Sequence, residues 1–252
     1  MILGIVGAGV VGGTLIKWFK EHTNHELRIY DPYKGFKDSL IGCEAIFISV
    51  PVPASESGQD QTILKNSVAY AQQYTDKVFI RSTVLPGTND ELKTISMPEF
   101  LTARRAYDDM CKYPILSGRC DKSLLERIFP NKQIIMMSNT EAELAKYSHN
   151  CFGAMKVLYF NMINEVCSKV KADYNQVLKG ARITKFIEPT HTVISQDGLK
   201  GYGGACFPTN VESFKNFLWE NDMPEESGLF ESIETINEQY RSSSEVQYGV
   251  EA

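Results

Sequence analysis

The sequence predicts an α/β protein in two parts, a helix-covered parallel sheet over residues 1–139 and a mainly helical part over 140–241 built on one long helix. Residues 242–252 are expected to form a flexible tail. Three observations carry this reading. Short β-rich apolar runs alternate with helical patterns through the N-terminal part, which implies parallel strands joined by crossover helices. A glycine-rich turn separates the first strand from the first helix. From Thr140 the chain then runs for about thirty residues without proline, on an apolar period of 3.6.

"ILGIVGAGVVGGTLIKWFK" starts as a strand, passes through glycines and becomes a helix on which Val10, Val11, Leu15 and Trp18 or Phe19 recur. "ELRIYD" (26–31), "EAIFISVPVP" (44–53) and "KVFIRSTVLPGT" (77–88) are buried strand patterns bounded by turn or proline signals, and "TILKNSVAYAQQY" is helical. In the long helix Leu144, Tyr147, Cys151, Ala154, Leu158 and Met162 share an apolar face, and Thr140 with Glu143 predicts a capping box at its start. "YNQVLKGAR", "NVESFKNFLWEN" and "GLFESIETINEQYR" are also helical, with Thr209 and Glu212 predicting a second capping box.

Composition excludes several classes. With 252 residues, 43% hydrophobic and 23% charged, the chain reads as an ordinary globular protein. A net charge of −5 lacks the basic excess of a nucleic-acid binder. No apolar run approaches the ~20 residues that span a bilayer, and the N-terminus has no signal-peptide pattern, so no membrane partner is expected. The six cysteines are scattered, without Cys-x-x-Cys or histidines at ligand spacing. Neither a metal nor a disulfide framework is expected, and a cytoplasmic, reducing setting is.

"GAGVVG" (7–12) lies between strand and helix, with Asp31 at the end of the next strand. Gly7 makes the tight turn, Gly9 lets backbone approach a pyrophosphate, Gly12 permits close helix packing, and Asp31 accepts from ribose hydroxyls. This Rossmann-type pattern predicts NAD rather than NADP, because a 2′-phosphate would meet the Asp31 charge. Val10 and Val11 at the helix start, and Val50 and Pro51 late in the third strand pattern, complete the cofactor side.

Two further features have both chemical and plain readings. Lys146 and Asn150 lie on one face of the long helix, either as stabilisers of a developing oxyanion or as a solvated polar pair. Cys206, in "GYGGACFPTN", falls just ahead of a helix N-terminus, where the dipole favours the reactive thiolate. It is otherwise a small, inert, buried residue.

In order, "GAGVVG", "STVLPGT" (82–88), "PEFL" (98–101), "ELAKYSHNCFGAMKVLYFNMINEV" (143–166), "GARI" (180–183) and "GYGGACFP" (201–208) resemble the UDP-glucose/GDP-mannose dehydrogenase family from Met1 to about Arg241. The resemblance implies NAD-dependent, two-step oxidation of a nucleotide-sugar primary alcohol, UDP-glucose-like, to the uronate. It implies that Cys206 captures the aldehyde as a thiohemiacetal that becomes a thioester, while Lys146 and Asn150 hold the substrate oxygen. Thr83 would contact cofactor and catalytic water, and Glu99 would act beside the sugar as acid/base or water-orienting group. Phe100, Leu101, Tyr202 and Gly203 would contact substrate, and Arg182 would reach the substrate of a neighbouring subunit, implying a homodimer.

The chain also departs from the family pattern. Thr209 and Asn210 stand where the family has Lys-Asp, and Ala103 replaces an acidic residue, so Asn210 occupies a catalytic position without being able to act as a base. The connection after Asp31 is short, predicting a sheet trimmed by one strand and one helix. The family's C-terminal domain does not follow "ETINEQYR", so a separate chain supplying it is a possible partner. Two other functions remain open: a two-electron NAD-dependent dehydrogenase of a small hydroxy acid, and a non-catalytic NAD-binding family member.

Overall fold

The computed structural model describes residues 1–195 and 197–247. The chain forms two compact units, Met1–Pro53 with Gln59–Tyr147, and Ala54–Gly58 with the chain from Ser148 onward.

The first unit contains β1 (Ile2–Val6), α1 (Val10–His22), β2 (Glu26–Asp31), the two-residue β3 (Phe36–Lys37) and β4 (Ala45–Ile48). After the short β5 (Ala54–Ser55) and β6 (Gly58–Gln59) come α2 (Thr62–Ala71), β7 (Val78–Ile80), α3 (Thr88–Glu91) and β8 (Ile95–Ser96). The main sheet has the order β3-β2-β1-β4-β7-β8, parallel throughout except for β3. As expected from the short connection after Asp31, only a 3-10 turn and β3 stand between β2 and β4.

Each central strand sends alternate residues to opposite faces, which is why a two-sided sheet reads as an unbroken apolar run. Phe47 and Phe79 join Leu15, Trp18, Phe19 and Phe129 on one face, while Ile46, Ile48, Val78 and Ile80 pack with Leu64 and Val68 of α2 on the other. The expected strands at 44–53 and 77–88 stop at Ile48 and Ile80, and the chain beyond them turns into loops.

The sequence reading assigned no element between Gly87 and Asn139. There the structure has, besides α3 and β8, α4 (Ala106–Lys112), β9 (Ile115–Ser117), α5 (Lys122–Ile128) and β10 (Ile134–Met136), with β9 and β10 paired in parallel. Strands of three residues and helices of seven are too short to display a period.

The long helix α6 (Asn139–Val170) is present, and the division between the units falls inside it. Tyr147, Cys151, Ala154 and Leu158 are buried as expected, whereas Leu144 and Met162 are exposed. Its cap also differs from the expected one. Ser138 and Glu141 bond reciprocally, side chain to backbone N–H, while the Glu143 side chain turns away to the start of α3.

The second unit continues with α7 (Tyr174–Ala181), α8 (Phe207–Glu220) and α9 (Pro224–Gln247). Helix α8 starts four residues before the expected run at 211, so Thr209 is inside it and bonds back to the Ala205 carbonyl instead of capping. Pro208 is tolerated because an N–H in the first helical turn would have no intrahelical acceptor. Residues 242–247 of the expected tail are helical, and 248–252 lie outside the described residues.

Candidate active site

In the first unit the strand order reverses between β1 and β4, and the C-terminal ends of the parallel strands converge on one edge. Ligands of open α/β sheets bind at such a switch point. The glycine turn follows β1, Asp31 closes β2, Val50 and Pro51 follow β4, and Thr83 follows β7. The Ser82 hydroxyl donates to the Val50 carbonyl at 2.6 Å and ties two of these ends together.

The glycines have distinct tasks. Gly7 adopts a positive φ of 88°, and a Cβ there would lie 2.5 Å from the Ser49 carbonyl oxygen. A Cβ on Gly12 would lie 1.9 Å from the Gly7 carbonyl oxygen. At Gly9 a Cβ would meet nothing within 4 Å. Two glycines therefore serve close packing and the third leaves space in front of the helix start, which fits a dinucleotide pyrophosphate. The Asp31 carboxylate accepts from the Ala8 N–H at 2.8 Å, and Lys34, which the sequence reading missed, donates to the Ala8 carbonyl at 2.8 Å.

The loop carrying Thr83 is clamped by two residues that also escaped the sequence reading. Buried Gln59 donates to the Thr83 carbonyl and to the Tyr147 hydroxyl, and accepts from the Leu85 N–H. Glu143 accepts from the N–H groups of Gly87 and Asn89 and from the Asn89 amide, at 2.7–2.8 Å. Burial pushes the Glu143 carboxyl above the ordinary carboxylate range, and those donors pull it back in part. The only sequence signal for Glu143 was its spacing from Thr140, which suggested a cap.

Lys146 is buried, not solvated. Its ammonium donates to the Glu99 carbonyl, lies 3.4 Å from the Glu99 carboxylate, and sits 5.2 Å from the centre of the Phe100 ring. The other Glu99 oxygen accepts from the Leu101 N–H at 2.6 Å, so the "PEFL" segment folds around its own acid. Arg81, 2% exposed, adds a second cation: burial lowers its pKa to about 10, opposed by the Glu99 charge.

In the second unit Asn150 and Asn210, both buried, meet at 2.6 Å, with Asn150 donating; His149 Nδ1 lies 2.9 Å from the Asn150 carbonyl oxygen. Cys206 is exposed at the N-cap position of α8, which removes the reading of a small buried residue. Its neighbour Phe207 packs where a Cβ on Gly153 would stand, 2.7 Å away, and this anchors the start of α8 against α6. The glycine stretch before it is held by Asn237, which bonds both the N–H and the carbonyl of Tyr202, and by Asn161, which accepts from Gly201. Tyr202 is buried, and the space beside Gly203 is filled by the ion pair of Arg241 and Asp197. Arg182 donates to Thr192 and to the Pro189 carbonyl of its own chain. Burial, His149 and Lys156 push His191, which packs on Phe207, below the ordinary histidine pKa.

These features define a Rossmann-type dinucleotide-binding unit followed by a helical unit. Comparison then names the family. Residues 140–239 match the model of the UDP-glucose/GDP-mannose dehydrogenase family, central domain, the family that the sequence motifs resemble. It is 26% identical over 250 residues to a UDP-glucose 6-dehydrogenase of Rickettsia bellii, covering 89% of this chain and 56% of the relative. To a UDP-glucose 6-dehydrogenase of Bacillus subtilis it is 30% identical over 203 residues, 71% of this chain and 45% of the relative. The chain thus spans about half the length of these relatives. The fold is shared with a UDP-glucose dehydrogenase of Pyrobaculum islandicum, at TM-score 0.81 and 20% identity over 94% of this chain and 68% of that one. The family uses NAD, and the glycine turn fits it.

Proposed function

We propose that the chain oxidises the primary alcohol of a nucleotide sugar, UDP-glucose-like, to the uronate through covalent capture on Cys206. The observation that carries this reading is the burial of Lys146 beside Glu99. A lysine is rarely kept out of water unless its charge is used, since removing an ammonium from solvent costs several kcal/mol. NAD, when bound, accepts the hydride in each of two oxidations.

The chain's own residues supply the rest. Lys146 and Asn150 donate to the substrate oxygen as it becomes alkoxide-like. Cys206, as thiolate, adds to the aldehyde carbon to give a thiohemiacetal, whose oxidation leaves a thioester. Water, oriented by Thr83 and Glu99, cleaves the thioester, releases the carboxylate and returns the thiol. One alcohol, two NAD and one water thus give one carboxylate, two NADH and three protons. Phe100 and Leu101, and in the second unit Tyr202 and Gly203, are assigned to substrate contact. Arg182 reaches a neighbouring subunit's substrate in this reading only after releasing Thr192.

A homodimer and a cytoplasmic setting belong to the same proposal. Phe152, Tyr159, Met162, Val166 and Val170 form an exposed apolar stripe along α6, which supports association. No helix among the described residues is long and apolar enough to cross a membrane.

The test is to incubate purified protein with NAD and a panel of UDP- and GDP-sugars, alone and with candidate partner chains. Two NADH per carboxylate, and loss of carboxylate in Cys206→Ala, are expected; no turnover across the panel overturns the reading. Asn210 and Ala103, both without a basic group, favour a second reading, a two-electron dehydrogenase of a small hydroxy acid. One NADH per product, with Cys206 dispensable, identifies that case. NAD binding without any turnover identifies a non-catalytic family member.

A further inference from the structure

We propose that Arg104 and Arg105 grip the pyrophosphate of the dinucleotide from the side facing the glycine turn, an assignment that rests on the cofactor reading above. A cleft of about 460 Å³ runs in the first unit between the opening of α1 and the segment that leads into α4. Gly9, Val10, Gly13, Thr14 and Lys17 form one wall, and residues 103–108 form the other.

The α1 wall presents small side chains, the positive end of a 13-residue helix and no acidic residue in its first turn. The facing wall carries Arg104 and Arg105, both exposed, and among the described residues one carboxylate, Asp108. Lys17 adds a third cation, though Glu21 lies 3.9 Å away and its ammonium sits over the Tyr107 ring. With Glu21 set against Lys17, positive charge still exceeds negative. An excess of positive charge suits an anion, and the pyrophosphate diester is the one that the adjoining glycine turn fits.

An exposed arginine pair is ordinarily a solvated face. These two differ because they stand across a cleft from Gly9, the glycine whose missing side chain leaves open space. They are also carried on an anchored turn: Asp109, buried, accepts from the Thr102 N–H at 2.7 Å, and the Arg105 N–H bonds the Thr102 carbonyl at 2.8 Å. Guanidinium forks match phosphate oxygens in geometry as well as charge.

Titration calorimetry with ADP-ribose, which carries the pyrophosphate, and adenosine, which does not, tests the assignment on the wild type, Arg104→Ala/Arg105→Ala and the control Lys169→Ala/Lys179→Ala. The arginine variant is expected to weaken ADP-ribose about tenfold or more, leaving adenosine unchanged, and the control to change neither. Raising salt should weaken ADP-ribose, but not adenosine, in the wild type; this measurement needs no variant to fold. Unchanged ADP-ribose affinity in the arginine variant, an equal loss in the control, or absence of the salt effect overturns the role of the arginines. A wild-type chain that binds neither NAD nor ADP-ribose overturns the cofactor reading as well.

Discussion

Lys146 and Glu99 bind each other inside the first unit, with side chains 5% and 9% exposed. Removing Lys146 leaves the buried Glu99 carboxylate the charge of Arg81 to face. Lys146→Met is therefore expected to cost up to about 3–5 kcal/mol of stability, and Glu99→Gln/Lys146→Met to recover only part of it, because the double change removes the carboxylate but also takes that counter-charge from buried Arg81. Turnover should fall about 10²–10³-fold in both variants if Lys146 is the oxyanion donor of the proposed reaction. Denaturant melts beside NADH production check the split. A double variant with wild-type turnover would remove Lys146 from the chemistry. At Asn210 the amide already accepts from Asn150 but has no basic group. Both the departure from the family and its chemical consequence were legible from that one residue, whereas the pairing with Asn150 needed the folded chain.

At the level of elements, the glycine turn permits a separation of packing from binding. Gly12→Ala places a methyl 1.9 Å from the Gly7 carbonyl and is expected to destabilise by 1–3 kcal/mol or more. Gly9→Ala enters open space at φ −69°, a conformation any residue adopts. It should leave stability within about 0.5 kcal/mol of wild type while weakening NAD about tenfold. Melting temperatures and calorimetric NAD affinities of the two variants decide it, and equal NAD affinity in Gly9→Ala and wild type would count against binding at this turn. The turn was legible because strand, glycine spacing, helix and terminal Asp are consecutive in the chain. The caps were misread, because Glu143 and Thr209 have the right spacing but better partners. Glu143 finds three donors at the start of α3, and Thr209 finds a carbonyl one turn back.

For the whole molecule, the apolar stripe on α6 predicts self-association. Met162→Glu/Val166→Glu, both at exposed positions, should yield monomers without lowering the melting temperature, as measured by sedimentation. A wild-type chain that is already monomeric would remove the homodimer from the proposal. The sequence by itself determined the parallel sheet, the dinucleotide turn, the long helix and the family resemblance, because each is written in local periodicity or in blocks of consecutive residues. Only the tertiary structure decided that Lys146 is buried against Glu99, that buried Arg81 faces the same charge, that Cys206 is exposed, that Gln59 and Glu143 clamp the Thr83 loop, and that Arg104 and Arg105 face Gly9 across a cleft. Burial and pairing of charge depend on residues tens of positions apart, and no periodicity along the chain records which of them will meet.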